Sequence, residues 1–202
     1  MYLYIGRYEM AYTPKILAFA GSARADSFNK KLVNIAAQGA RDAGAGVTVV
    51  DLRDYPMPLY DGDLEAREGL PETVVRFKEL MMAHQGLLIA SPEYNSSITP
   101  LLKNTIDWAS RSGPDEAQLA CYDHKVAALM STSPGALGGL RGLVHVRSIL
   151  GNIKVLVLPE QVAVPKAYEA FADAGTLHDE RRQASIEQLG IKLTQTLMKL
   201  NG

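Results

Sequence analysis

Five short apolar runs alternate with stretches that carry apolar residues at helical spacing, and this alternation constrains the fold more than any other feature. Ile16–Ala20, Val47–Val50, Gly86–Ala90, Val126–Met130 and Val155–Leu158 read as strands. Several are continuous apolar runs, which is how a strand buried on both faces looks. Between them, residues 29–43 place Leu32, Val33, Ile35, Ala36 and Ala40 on one helical side. Pro71 opens a helix to His84, Pro100 one to Arg111, and Leu140 begins one that Gly151 stops. Residues 53–70, with Pro56, Pro58 and Gly62, read as a loop, and residues 159–178 as mixed structure. A last helix is expected from about His178 to Lys199. Such a βα alternation predicts an α/β domain: one five-stranded parallel sheet in the order 2-1-3-4-5, with helices on both faces.

At 202 residues the chain suits one domain, expected over residues 14–202, with residues 1–13 as an N-terminal extension. Met10, just before the first strand, suggests that residues 1–9 lie upstream of the natural start. The formal net charge of -1 gives no reason to expect nucleic acid or an anionic membrane as a partner. No apolar run is long enough for membrane insertion. A single cysteine, Cys121, forms no internal disulfide and no CxxC pair, so it reads as a packed thiol and the cytoplasm is the expected compartment. The four histidines, His84, His124, His145 and His178, lack metal-ligand spacing, and no metal is expected.

In a sheet of this order, ligands bind beyond the carboxyl ends of the strands where the order reverses, so the loops after strands 1, 3 and 4 should converge. These are the loops with unusual composition. The first, Gly21–Asn29, joins a buried strand to a helix; Ser27 and Asn29 can cap that helix, and Arg24 adds a full charge. By itself it fits a phosphate site and a capped helix with a solvated arginine about equally. The second, Ser91–Ser97, has backbone N–H groups near Glu93–Asn95 that could bond a heterocycle, with Tyr94 to cover its face. The third, Ser131–Gly139, contains Gly135, Gly138 and Gly139, which allow close backbone approach to a flat ring. A dinucleotide-binding G-x-G-x-x-G, a G-x-S-x-G hydrolase elbow and a P-loop are all absent.

Together these residues carry a resemblance. Gly21-Ser22-x-Arg24-x-x-Ser27-x-Asn29, then Ser91-Pro92-Glu93-Tyr94-Asn95-x-Ser97, then Leu102-Lys103-Asn104-x-Ile106-Asp107-Trp108 and Gly135-x-x-Gly138-Gly139-x-Arg141, resemble the NADPH-dependent FMN reductases. That family includes bacterial quinone, chromate and azo-dye reductases, and the likeness spans about residues 15–198. It implies a flavodoxin-like three-layer sandwich. It implies that Ser22, Arg24, Ser27, Phe28 and Asn29 hold the FMN phosphate and that Pro92, Glu93, Tyr94 and Asn95 line the ribityl chain and ring. Ser133, with Gly135 and Gly138, would close over the ring system. The resemblance further implies a homodimer or homotetramer with the flavin near a subunit interface, partly formed by Leu102–Arg111. The expected activity is ping-pong hydride transfer from NADPH or NADH through flavin N5 to a small-molecule electron acceptor: a quinone, azo compound, chromate or flavin. No side chain is needed as a nucleophile. The competing expectation is an FMN-binding electron carrier without nicotinamide turnover. Its counter-argument is charge, since small flavodoxins tend to be strongly acidic.

Overall fold

The computed structural model describes residues 12–201. The expected extension falls almost wholly on residues outside that range; of its described part, Tyr12 packs against the core and its hydroxyl donates to Gln85 Oε1 at 3.4 Å. In chain order the elements are β1 (Lys15–Ala20), α1 (Phe28–Asp42), β2 (Gly46–Val50), α2 (Gly62–Glu68), α3 (Glu72–Ala83), β3 (Gly86–Ala90), α4 (Pro100–Ala109), β4 (Val126–Thr132), α5 (Leu140–Asn152), β5 (Leu156–Val164), α6 (Ala167–Ala170) and α7 (Glu180–Asn201). The five strands form one parallel sheet in the order β2-β1-β3-β4-β5, as the alternation predicts.

Side chains alternate across a strand, so each central strand feeds two cores. Ile16, Ala18, Leu88, Ala90, Ala128 and Met130 face α1 and α7. Leu17, Phe19, Leu87, Ile89, Ala127 and Leu129 face α3, α4 and α5. On the first face, α1 and α7 pack closely side by side through glycines. A Cβ on Gly190 would lie inside the van der Waals envelope of the Ala36 carbonyl, and one on Gly39 would overlap the Glu187 carbonyl. Trp108, expected either in the core or at an interface, is fully buried within the chain; its Nε1 donates to the Pro58 carbonyl at 2.7 Å.

Four local expectations are corrected. Gly151 does not stop α5, which runs on to Asn152 and is capped at Ile153. The loop expected over 53–70 contains α2, which starts where Asp61 accepts from the Asp63 N–H and stops at Gly69, with φ +75°. None of its residues is buried, so it carries no apolar period for sequence reading to detect. β5 does not end at Leu158 but runs on through Pro159 to Val164. A proline is tolerated there because β5 is an edge strand and the ladder is broken at that point: Ala127 pairs with Val157, but Leu129 pairs with Gln161. Arg147 satisfies the displaced carbonyls, donating to Leu158 O at 2.8 Å and Pro159 O at 3.3 Å. Finally, α7 starts at Glu180, after Asp179 accepts from the Arg181 and Arg182 N–H groups.

Candidate functional site

The parallel sheet ends all its strands on one side, and the loops after β1, β3 and β4 meet there. They enclose a pocket with three walls. Ser22, Arg24, Ser27, Phe28 and Asn29 form the first, Pro92, Glu93 and Tyr94 the second, and Thr132, Ser133 and Pro134 the third. Asn95, Gly135 and Gly138, expected at the site, are not among the lining residues. Asn95 and Ser96, with φ of 49° and 67°, make the tight turn of a small hairpin closed by reciprocal backbone bonds between Tyr94 and Ser97 at 2.9 and 3.0 Å. Gly138, with φ +61°, packs where a Cβ would come within 2.6 Å of the Val164 carbonyl carbon, so its missing side chain serves the contact with β5. Thr132 and Pro134 line the pocket although their residue types carry a weaker sequence signal than the glycines further along the same loop.

The first wall is a helix N-terminus. The Ser27 carbonyl accepts from the Lys30 and Lys31 N–H groups, which starts α1 and leaves first-turn N–H groups directed outward. Neither expected cap operates through its side chain. Ser27 makes no side-chain capping bond. Asn29 turns instead toward β4, donating through Nδ2 to the Thr132 carbonyl at 2.9 Å while its Oδ1 accepts from the Thr132 N–H at 3.1 Å. This amide mimics one rung of a ladder and joins the first wall to the third. Arg24 is exposed at the rim, where its N–H donates to Ser22 Oγ at 3.3 Å. Hydroxyls of Ser22 and Ser27, free amides and one guanidinium form a donor set that suits a phosphate group. An FMN phosphate fits this chemistry. Phe28 lies beside Tyr168 and Phe171, with ring centroids 5.3 and 5.2 Å away, so the wall is firmly packed.

On the second wall, Glu93 faces Arg141 across the pocket edge with a shortest separation of 2.7 Å. Burial alone would raise this carboxyl, but hydrogen bonds from the Arg141 side chain and from the Gly142 and Arg141 amides outweigh it and hold it below the ordinary carboxylate range. Tyr94 is half exposed and lines the pocket. Below the third wall, Gly139 has φ +90° and presses on the Ser131 hydroxyl so closely that no Cβ would fit. His145 bonds Ser97 Oγ through Nδ1 at 2.8 Å and so serves the second loop. Cys121 is fully buried, and burial pushes its thiol up to about 11, which suits an unreactive packed group. Among the described residues, no three His, Cys, Asp or Glu side chains are grouped to hold a metal, and no helix is long and apolar enough to cross a membrane.

Residues 14–169 match the family model described as NADPH-dependent FMN reductase. The chain belongs to the NADPH-dependent FMN reductase family. It is thus an oxidoreductase of that family. Among the relatives, an NAD(P)H-dependent FMN reductase of Pseudomonas aeruginosa is 35% identical over 189 residues, covering 93% of this chain and 97% of the relative. An NADPH:quinone oxidoreductase of Arabidopsis thaliana is 30% identical over 191 residues, covering 93% and 94%. In three dimensions, the flavoenzyme NAD(P)H:(acceptor) oxidoreductase FerB of Paracoccus denitrificans superposes with a TM-score of 0.77 at 27% identity, over 93% of this chain and 98% of that one. An archaeal flavodoxin, at 10% identity and a TM-score of 0.62, shares the fold.

Proposed function

We propose that this chain oxidises NADPH or NADH and passes the electron pair to a quinone-like, azo, chromate or flavin acceptor, with FMN held in the three-walled pocket. What supports this reading is a single arrangement: the N-terminus of α1, with Arg24 in the loop that leads into it, faces the Pro92–Tyr94 stretch and the end of β4 across one cavity. When bound, FMN supplies the hydride chemistry, and the protein supplies binding, orientation and a shaped environment. Ser22, Arg24, Ser27 and the first-turn amides of α1 would hold the phosphate. Pro92, Tyr94 and Ser133 would flank the ring end, where a nicotinamide and then an acceptor stack in turn, so ping-pong kinetics are expected. The assembly is proposed to be a homodimer or homotetramer. Leu137, Leu140 and Val144, along the third loop and α5, are exposed apolar side chains next to this pocket and suit burial against a second subunit. Family membership and the relatives named for quinone and FMN reduction favour the enzyme over a carrier without nicotinamide turnover.

The decisive test adds NADPH and a quinone to FMN-loaded protein and follows the nicotinamide absorbance. Rapid NADPH oxidation that depends on the quinone is the expected result. Failure to bind FMN, or binding without nicotinamide turnover, would defeat the proposal; the latter would leave the carrier in its place.

A further inference from the structure

Four hydrogen bonds end on the Glu93 carboxylate. One oxygen accepts from the backbone N–H groups of Arg141 and Gly142 at 3.0 and 3.1 Å; the other accepts from Arg141 Nε and Nη2 at 3.0 and 2.7 Å. A carboxylate offers about four lone-pair sites, so these donors occupy its whole accepting capacity. The side chain is only 8% exposed. No lone pair is left for a ligand, although the residue stands in the pocket wall. Its work is therefore done through the groups it binds.

Those groups are the first turn of α5. The helix begins after Gly139, which has no side chain to accept from its free amides, and Glu93 does so from another loop. Two more contacts follow the same seam. His145 bonds Ser97 Oγ, and Gly142 packs so closely that a Cβ would meet the Ser97 carbonyl oxygen at 3.2 Å and Glu93 Cβ at 3.5 Å. Ser133 and Pro134 hang on the short connection between β4 and α5, so the place where α5 begins governs where they stand.

We propose that Glu93 is a positioning residue whose carboxylate docks the start of α5 onto the second loop and thereby sets the gap between the Pro92–Tyr94 and Ser133–Pro134 walls. This rests on reading the pocket as a flavin site, with the ring end between those walls. Glu93 then governs affinity for the ring, whereas Arg24 governs affinity for the phosphate.

The test measures FMN and riboflavin binding by flavin fluorescence for wild type, Glu93→Ala, Glu93→Gln and Arg141→Ala, together with hydrogen exchange of the Arg141 and Gly142 amides in ligand-free protein. Glu93→Ala is expected to speed that exchange and to weaken both ligands by a similar factor, about tenfold or more. Glu93→Gln keeps one accepting oxygen and should recover part of the loss. Arg141→Ala leaves the amide bonds in place and should fall between wild type and Glu93→Ala. If Glu93→Ala does not fold, the other two variants carry the same graded expectation. Faster exchange with unchanged binding of both flavins would overturn the inference, as would unchanged exchange or a loss confined to FMN. A failure of the flavin reading is seen separately, because wild-type protein would then bind neither flavin.

Discussion

Replacing Arg24 by alanine isolates the phosphate grip from the fold. The guanidinium is exposed and has no ion-pair partner among the described residues; the nearby Asp26 is paired with Lys31 at 2.7 Å. Stability should therefore change by no more than about 0.5 kcal/mol, as at an ordinary surface position. Binding should change much more. A charge-assisted hydrogen bond contributes about 1.5–3 kcal/mol, against about 0.3–1 kcal/mol for the helix terminus that remains. The loss corresponds to an FMN dissociation constant raised about 10- to 150-fold. Riboflavin, which lacks the phosphate, should bind the variant as it binds wild type. Titration by flavin fluorescence, with a thermal melt as the control for folding, measures all of this. Equal FMN affinity in Arg24→Ala and wild type would remove Arg24 from the phosphate site, and an equal loss for riboflavin would show that its effect is not electrostatic recognition of an anion.

Other perturbations probe the scaffold that carries the pocket. Gly190→Ala drives a methyl group into the Ala36 carbonyl and against the Ala40 amide, backbone atoms that move only if α1 moves; a cost of about 1–3 kcal/mol or more is expected, read as a lower denaturation midpoint, and an unchanged midpoint refutes it. Asn29→Ala strips both partners from the Thr132 backbone, at about 1–3 kcal/mol for each buried group left unpaired, and should also loosen flavin retention; normal stability would mean that water replaces the amide without penalty. Asp51 gives a pH signature. Burial works to raise its carboxyl, but bonds from Arg53 and Lys30 prevail and lower it to about 2. Its folded value lies below the unfolded value of about 3.9, so its contribution is complete above that range and is lost as pH falls from about 4 toward 2. Partial exposure limits the effect to roughly 1–2 kcal/mol, and Asp51→Asn should remove this part of the acid-stability profile; an identical profile in the variant would contradict it.

Legibility varied with the range of the interaction. The central strands β1, β3 and β4 were plain in the sequence because burial on both faces writes itself as unbroken apolar runs. α2 was invisible because it buries nothing, and the far half of β5 was obscured by Pro159, which signals termination everywhere except at an edge or a bulge. Loop composition pointed to the three loops that line the pocket, but within the third loop it favoured Gly135 and Gly138, the latter packed on β5, over Thr132 and Pro134, which line the cavity. Arg141 stood in the motif without a partner, since nothing in the sequence links it to a glutamate 48 residues earlier.

From the sequence alone came the layered α/β plan, the strand order and the three loops that meet, because hydrophobic period and turn chemistry are local properties and the connection rules of parallel sheets do the rest. Only folding in three dimensions assigned work to the polar side chains. Asn29 and Glu93 both stand in the pocket wall, yet each is hydrogen-bonded to backbone far along the chain: Asn29 donates to and accepts from Thr132, and Glu93 accepts from the first amides of α5. A buried polar group must find a partner wherever the chain brings one, and that partner is set by packing rather than by neighbours in sequence.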